Sequence, residues 1–500
     1  MTRANEATGE SSLDAARRDL GADFEELLFL ARNGEEELAE AADELARARL
    51  RAPTHELLRR QNEDARRRHR AIAERLVALR AAAEMPASRP LVDRLAAEKA
   101  SLADLIRVER GLAAALLGAA DWQSPSFLHS LAPSAGRHEG LIRPHWNDYK
   151  RDRHLDAERY ERRYLQELMA SPHDLRALLT SCGMAAFTTV LSFLRLEGSL
   201  EGPVLAGAGL YHESRLLLEH ALPGRLRLVN EADTVSLLRA IDELRPSALF
   251  LDSLSNTKWM PVPDLARVLR RLDGTETYLV VDNTGLSVSC RPFALAPTSV
   301  RLIVFESLLK YAQLGLDRAN AGIVVARRED ADCLSRYREH LGTNVADVAV
   351  HALPRPDRAV LERRLARLQR NALLLAERLR AGAPDAVGVV YPGLPSHPGA
   401  AVARQLPFRG GCLSIVFSER DVSLRRERAL VAQAVAEAAR RGVALLGGSS
   451  FGFDTTRVYL TAEGAGYGEP FVRIAAGTEH RLEIERVAAA LVAAVREAAR

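Results

Sequence analysis

Five hundred residues exceed what one ordinary hydrophobic core organises, so two or three domains are expected. Hydrophobic residues make up 47% and charged residues 27%, a balance that excludes a disordered or fibrous chain. With 69 basic against 66 acidic residues the formal charge is only +3, which gives no electrostatic reason for a nucleic-acid or anionic-membrane partner. Cys182, Cys290, Cys333 and Cys412 lie far apart without a CxxC pair, so no disulfide framework, zinc knuckle or other metal site is expected. Reduced thiols in a cytoplasm are the default. The start of the chain lacks the apolar core of a signal peptide, and no window approaches the roughly 18 apolar residues of a membrane helix.

In chain order, the first 120 or so residues read as helix. Apolar residues recur at helical spacing as Ala31, Leu38 and Leu45, as Ile72, Leu76, Leu79 and Ala83, and as Leu95, Leu102 and Ile106. Pro53, Pro86 and Pro90 punctuate these runs, which predicts three helices in a hairpin array or short coiled coil. The basic run Arg66–Arg70 reads as a solvated helix face, because acidic residues are interspersed around it. From about residue 125 the elements shorten. Residues 203–210, 247–251, 278–282 and 302–306 read as buried strands, and 183–195, 233–244 and 263–272 as the helices between them. That alternation predicts an α/β domain built on a mostly parallel sheet covered on both faces. After about residue 345, helices at 357–381, 421–441 and 479–499 with strands at 412–417 and 471–475 predict a smaller α/β domain.

Ligands of open parallel sheets sit beyond the carboxyl ends of the strands, so the polar residues there are the candidates. One strand ends in Asp282-Asn283-Thr284, and the next runs through Ser307 to Lys310. Before them, Ser181-Cys182-Gly183-Met184 opens a helix whose free N–H groups suit a phosphate. Taken singly, each has a plain structural explanation: a turn former, a surface lysine, a common helix start.

In this order the motifs resemble the Cys/Met-metabolism family of pyridoxal-phosphate (PLP) enzymes, which contains cystathionine synthases and lyases and methionine γ-lyase. The resemblance runs from about Tyr149 to the end of the chain, on SCGMAAFTTVLSFL, VVDNTGLSVSCRPFAL, FESLLKYAQLGLDRANAGIVV, YPGLPSHPGAAVARQLPFRGGCLSIVF and FVRIAAGTEH. It implies a PLP enzyme of fold type I, with a helical extension over 1–124, a large cofactor-binding domain over 125–345 and a small domain over 346–500. Lys310 is then the Schiff-base lysine and the proton carrier. Asp282 pairs with the pyridinium nitrogen. Tyr211 stacks on the ring and donates a proton. Gly183, Met184, Ser307 and Thr284 bind at the phosphate end. Asn256 stands beside the phenolic oxygen, and Arg473 takes the substrate carboxylate. Tyr149 and Arg151 reach the phosphate from a neighbouring subunit, which implies a homodimer or homotetramer.

The departures fall around the substrate. Leu309 stands where the family has Thr before the lysine, and Gln313-Leu314-Gly315-Leu316-Asp317 replaces its Gly-Gly-His-Ser-Asp stretch. Asp252 replaces a Glu, Asn256-Thr257 replaces Asn-Pro, and Leu445 is read against a Ser before Leu-Gly-Gly. The resemblance therefore implies a lyase or transferase working by γ-elimination or γ-replacement, on an unusual amino acid of specialised metabolism. A β-lyase of a sulfur amino acid stays open. So does a catalytically silent scaffold, although a scaffold needs none of Lys310, Asp282, Tyr211 and Arg473.

Overall fold

The computed structural model describes residues 11–47, 52–120, 154–169, 171, 173–385, 387–417, 424–461 and 469–499. Three long helices come first: α1 (Ser12–Arg47), α2 (Ala52–Ala82) and α3 (Arg89–Ala120). Pro53 and Pro90 sit in the first turns of α2 and α3, where a missing N–H costs nothing, and Pro86 lies in the turn between those helices. The buried stripe of α1 (Ala16, Leu20, Phe24, Leu27, Ala31) meets Ile72 and Leu76 of α2 and Val92, Leu95 and Ile106 of α3 in one core. The basic run of α2 is charge-paired: Arg68 with Glu109 at 2.8 Å, Arg70 with Glu35 at 2.7 Å, and Arg67 with Asp64. His69 inside that run departs from the expected solvated face. It is fully buried, against the bare α-carbon of Gly34, where a methyl group would collide with its ring.

The large sheet has seven strands: β1 (Leu175–Thr180), β2 (Val204–Gly207), β3 (Leu226–Val229), β4 (Ala248–Asp252), β5 (Tyr278–Asp282), β6 (Arg301–Ser307) and β7 (Gly322–Arg327), in the order 1-7-6-5-4-2-3. Its pairs are parallel from β3 through β6, and β7 runs antiparallel to both β6 and β1. Alternation along each strand feeds two apolar layers. Tyr278 and Val280 face the layer of Phe187, Val190 and Phe250, while Leu279 and Val281 face the layer continuous with the N-terminal helices. The parallel register sets Asp252 beside Asp282, so two strands deliver their carboxylates to one edge.

The second sheet joins β8 (Val387–Val390), β9 (Cys412–Phe417), β10 (Leu446–Gly447), β11 (Arg457–Thr461) and β12 (Phe471–Ala475) in the order 10-11-12-9-8. Helices Arg358–Gly382, Leu424–Arg440 and Arg481–Ala498 cover it through Leu375, Leu430, Val487 and Leu491. No helix among the described residues is long and apolar enough to cross a membrane.

Candidate active site

A cavity of about 460 Å³ opens at the carboxyl ends of β4, β5 and β6, closed on its other side by β11, β12 and the segment 449–451. Lys310 lies three residues beyond β6 at the start of a tight turn. The Gln313 amide knits that turn together: its Nε2 donates to Leu308 and Ala319 carbonyls (3.2 and 2.6 Å), and its Oε1 accepts from the Arg318 and Ala319 N–H groups (both 2.8 Å). Lys310 Nζ donates to Ser450 Oγ at 2.6 Å and stands 5.2 Å from the centre of the Phe451 ring. Burial in this apolar wall pulls the Lys310 pKa below the ordinary lysine range. Its neutral, nucleophilic amine is thereby easier to reach.

Asp282 Oδ1 accepts from the Thr284 N–H at 2.9 Å, and Thr284 Oγ1 in turn accepts from the Ser307 N–H at 2.9 Å. Burial raises the Asp282 carboxyl, while the bonds from Thr284 and the nearby Lys310 hold it down. Its neighbour Asp252 has less help. Burial, then the charges of Asp282 and Glu231, push Asp252 well above the usual carboxylate range, with a bond from the Tyr211 N–H opposing them. Two adjacent carboxyls pushed apart in this way leave the negative charge on Asp282. Glu231 is buried and accepts from the Gly209 N–H (2.9 Å) and Ser255 Oγ (2.7 Å).

Helix Gly183–Leu196 starts at the cavity wall. Cys182 caps it, its Sγ accepting from the Ala185 N–H at 3.3 Å and its carbonyl from Ala186 at 3.0 Å. The first-turn N–H groups of Gly183 and Met184 are left for an anion. A methyl group on Gly183 would sit 2.7 Å from Ser307 Cβ, so glycine is what lets this helix start and Ser307 come together. Tyr211 precedes helix His212–Ala221 and lines the same cavity. Burial, then the neighbouring Glu213, raise its phenol above the ordinary range, which keeps it a proton donor.

Arg473 of β12 is buried, donating from Nη2 to the Asn256 carbonyl at 2.8 Å, from Nη1 to Asn256 Oδ1, and weakly to Tyr459 Oη at 3.4 Å. Its buried Nε has no partner among the described residues. An unspent donor on a buried guanidinium is what a carboxylate ligand would satisfy. Asn256, expected beside the cofactor's phenolic oxygen, lines the cavity and accepts from this arginine.

The structure thus brings Lys310, Tyr211, Asp282, Thr284, Gly183, Met184, Ser307, Asn256 and Arg473 to one cavity. Tyr149 and Arg151 lie outside the described residues. Sequence reasoning missed Ser450 and Tyr459. Leu445, read in the loop facing substrate, is packed in the core beneath the second sheet, and Ser449 and Ser450 line the cavity. The doublet after Gly447-Gly448 was the available signal, displaced by four or five residues from where the motif was read. Leu309 does line the cavity. A lysine near a strand-end carboxylate, a helix start free for phosphate and an arginine with a spare donor together fit pyridoxal phosphate and an amino-acid substrate.

Comparison with known proteins agrees. The chain is 26% identical over 361 residues to the bifunctional enzyme flvA of Aspergillus flavus, covering 70% of this chain and 42% of that protein. It is also 26% identical over 242 residues to the chloroplastic cystathionine gamma-synthase 1 of Arabidopsis thaliana, covering 47% of this chain and 41% of that one. The chain thus spans about two fifths of the length of these two curated relatives. The crystal structure of cystathionine gamma synthase from Xanthomonas oryzae pv. oryzae shares the fold, with a TM-score of 0.58 at 22% identity over 76% of this chain and 92% of that one. The description Cys/Met metabolism PLP-dependent enzyme matches residues 123–486. Because that match covers well over half the chain and includes every residue lining the cavity, this protein belongs to the Cys/Met metabolism PLP-dependent enzymes.

Proposed function

We propose that the chain expels or replaces a group at Cγ of an amino acid, with Lys310 moving protons at both Cα and Cβ. The observation that carries this reading is that Lys310 Nζ, the Tyr211 phenol and Arg473 line one cavity, so a carboxylate held at the arginine leaves its carbon chain between two proton-handling groups. Gly183, Met184, Ser307 and Thr284 would hold the phosphate of the cofactor and Asp282 its ring nitrogen. When bound, the cofactor supplies an electron sink for the charge left on carbon once a proton is removed. Ser450 keeps Lys310 Nζ at one place, and Tyr211 protonates the departing group. Leu254, Met260, Leu309 and Phe451 give the cavity an apolar share that suits a weakly solvated γ-substituent, while Ser449 and Ser450 keep the lysine side polar. The names of the Arabidopsis and Xanthomonas relatives, both γ-synthases, point the same way.

Turnover in deuterated water tests this. A replacement product is expected to carry solvent deuterium at Cα and at Cβ, and the 2-oxoacid left by elimination at Cβ and Cγ, because Lys310 exchanges its protons with solvent between the transfers. Exchange at Cα alone, with only β-substituted amino acids consumed, would make the enzyme a β-lyase.

We further propose that two copies share their active sites, Arg151 of one reaching the phosphate of the other. Sedimentation should give at least a dimer, and Arg151→Ala should weaken cofactor retention, because a phosphate charge loses its partner. A fully active monomer at micromolar concentration would refute the arrangement.

A further inference from the structure

Helices α1 and α3 reach the two loops that hold the lysine. Arg364, fully buried in helix Arg358–Gly382, pairs through Nη1 with Glu26 of α1. Through Nη2 the same guanidinium donates to the Gly452 carbonyl at 2.8 Å and to Asp454 Oδ1 at 2.9 Å. Arg107 of α3 approaches Asp454 Oδ2 at 3.5 Å and donates to the Gly315 carbonyl at 3.3 Å. Gly315 belongs to the turn that follows Lys310, and Gly452 to the loop that carries Ser450.

These loops touch without slack. Gly452 has φ +90°, and a methyl group there would lie 2.9 Å from the Lys310 carbonyl carbon. Gly315 has φ +81°, and a methyl group there would lie 2.6 Å from Asp454 Oδ1 and 2.7 Å from Arg364 Nη2. Ser450, whose hydroxyl holds Lys310 Nζ, is itself in the left-handed region at φ +74°, a conformation a serine keeps only when its surroundings impose it. Arg364 grips the same loop two residues away, at the Gly452 carbonyl. A buried guanidinium is costly unless its charge is met, and Glu26 from α1 meets it together with Asp454.

We infer that the N-terminal helices are a positioning element of the active site, with Glu26 fixing, through Arg364, the loop that presents Ser450 to Lys310. Glu26 and Arg107 both precede residue 123, where the family match begins. The inference rests on Lys310 being the catalytic lysine. It makes Glu26 and Arg107 positioning residues.

Hydrogen exchange of the full-length, cofactor-free protein tests it, comparing wild type with Glu26→Gln and with Glu35→Gln, a control on α1 whose ion-pair partner is Arg70 of α2. A lost charge-assisted bond should speed exchange over residues 446–456 in Glu26→Gln by about 10- to 100-fold, with the control unchanged. In the cofactor-loaded enzyme the visible circular dichroism of the cofactor should weaken, and kcat should fall while KM holds. Unchanged exchange at 446–456 and unchanged dichroism in a folded Glu26→Gln protein would overturn the inference, as would faster exchange confined to α1–α3. Should Glu26→Gln not fold, Arg107→Ala carries the same test through Asp454 and Gly315, since its side chain is 28% exposed. A wild type without a visible cofactor band would defeat the functional reading instead, and exchange in the cofactor-free protein would still decide this one.

Discussion

Lys310→Ala is expected to abolish turnover and the visible absorption of the bound cofactor while leaving the chain folded. A single proton-transferring side chain contributes about 10²- to 10⁴-fold, and here the same amine is also the cofactor's covalent anchor, so the loss should reach the assay floor. Stability should be spared for a physical reason. Burial lowers the Lys310 pKa, so near neutral pH its charge is a cost to the folded state, and removing it removes that cost. Among the described residues the hydrogen bond lost is the one to the Ser450 hydroxyl, worth about 0.5–1.5 kcal/mol. The chain has four lysines, Lys99, Lys150, Lys258 and Lys310, which makes the check clean. Lys99 is engaged with Asp23 at 2.9 Å, and Lys258 with Glu469. Borohydride reduction followed by peptide mapping should label Lys310 alone, and a label on any other lysine sinks the assignment.

The lysine and its carboxylate were legible because local signals placed them. A β-branched, apolar run such as YLVVD makes a buried strand whatever surrounds it, and its polar end must then lie at the sheet's edge. Gly183 was legible likewise, as the start of a helix after a strand. What escaped depends on distance along the chain. Ser450 and Lys310 are 140 residues apart, Asn256 and Arg473 are 217 apart, and Glu26 and Arg364 are 338 apart. No periodicity reports such meetings. Edge strand β3, LRLV, escaped for another reason: two of its four residues are exposed, so it lacks the apolar run that marks a buried strand. The misplacement of Leu445 shows the limit of motif register, since its apolar side chain packs in the core beneath the second sheet while the working hydroxyl lies five residues on.

The second large effect is expected at the strand-end carboxylates, and it is a ranking. Asp282→Asn should lower kcat/KM by about 10²- to 10⁴-fold, whereas Asp252→Asn should cost less than about tenfold. The reasoning is electrostatic. Asp252 and Asp282 are adjacent in the β4–β5 register, so one negative charge is far cheaper than two. Burial raises both carboxyls, but Thr284 and Lys310 oppose the rise at Asp282, while the charges of Asp282 and Glu231 add to it at Asp252. The charge therefore resides on Asp282, the carboxylate able to meet the protonated ring nitrogen. Breaking a buried ion pair by removing one partner costs about 3–5 kcal/mol, which at 1.36 kcal/mol per tenfold gives the stated loss. Asparagine at 252 replaces the carboxyl that holds its proton more tightly, and its amide oxygen can still accept the Tyr211 N–H that Asp252 now accepts. Steady-state kinetics on both variants, with cofactor content measured in each, gives the ranking directly. If Asp252→Asn proves the more damaging, the charge lies on β4 and the role given to Asp282 is wrong.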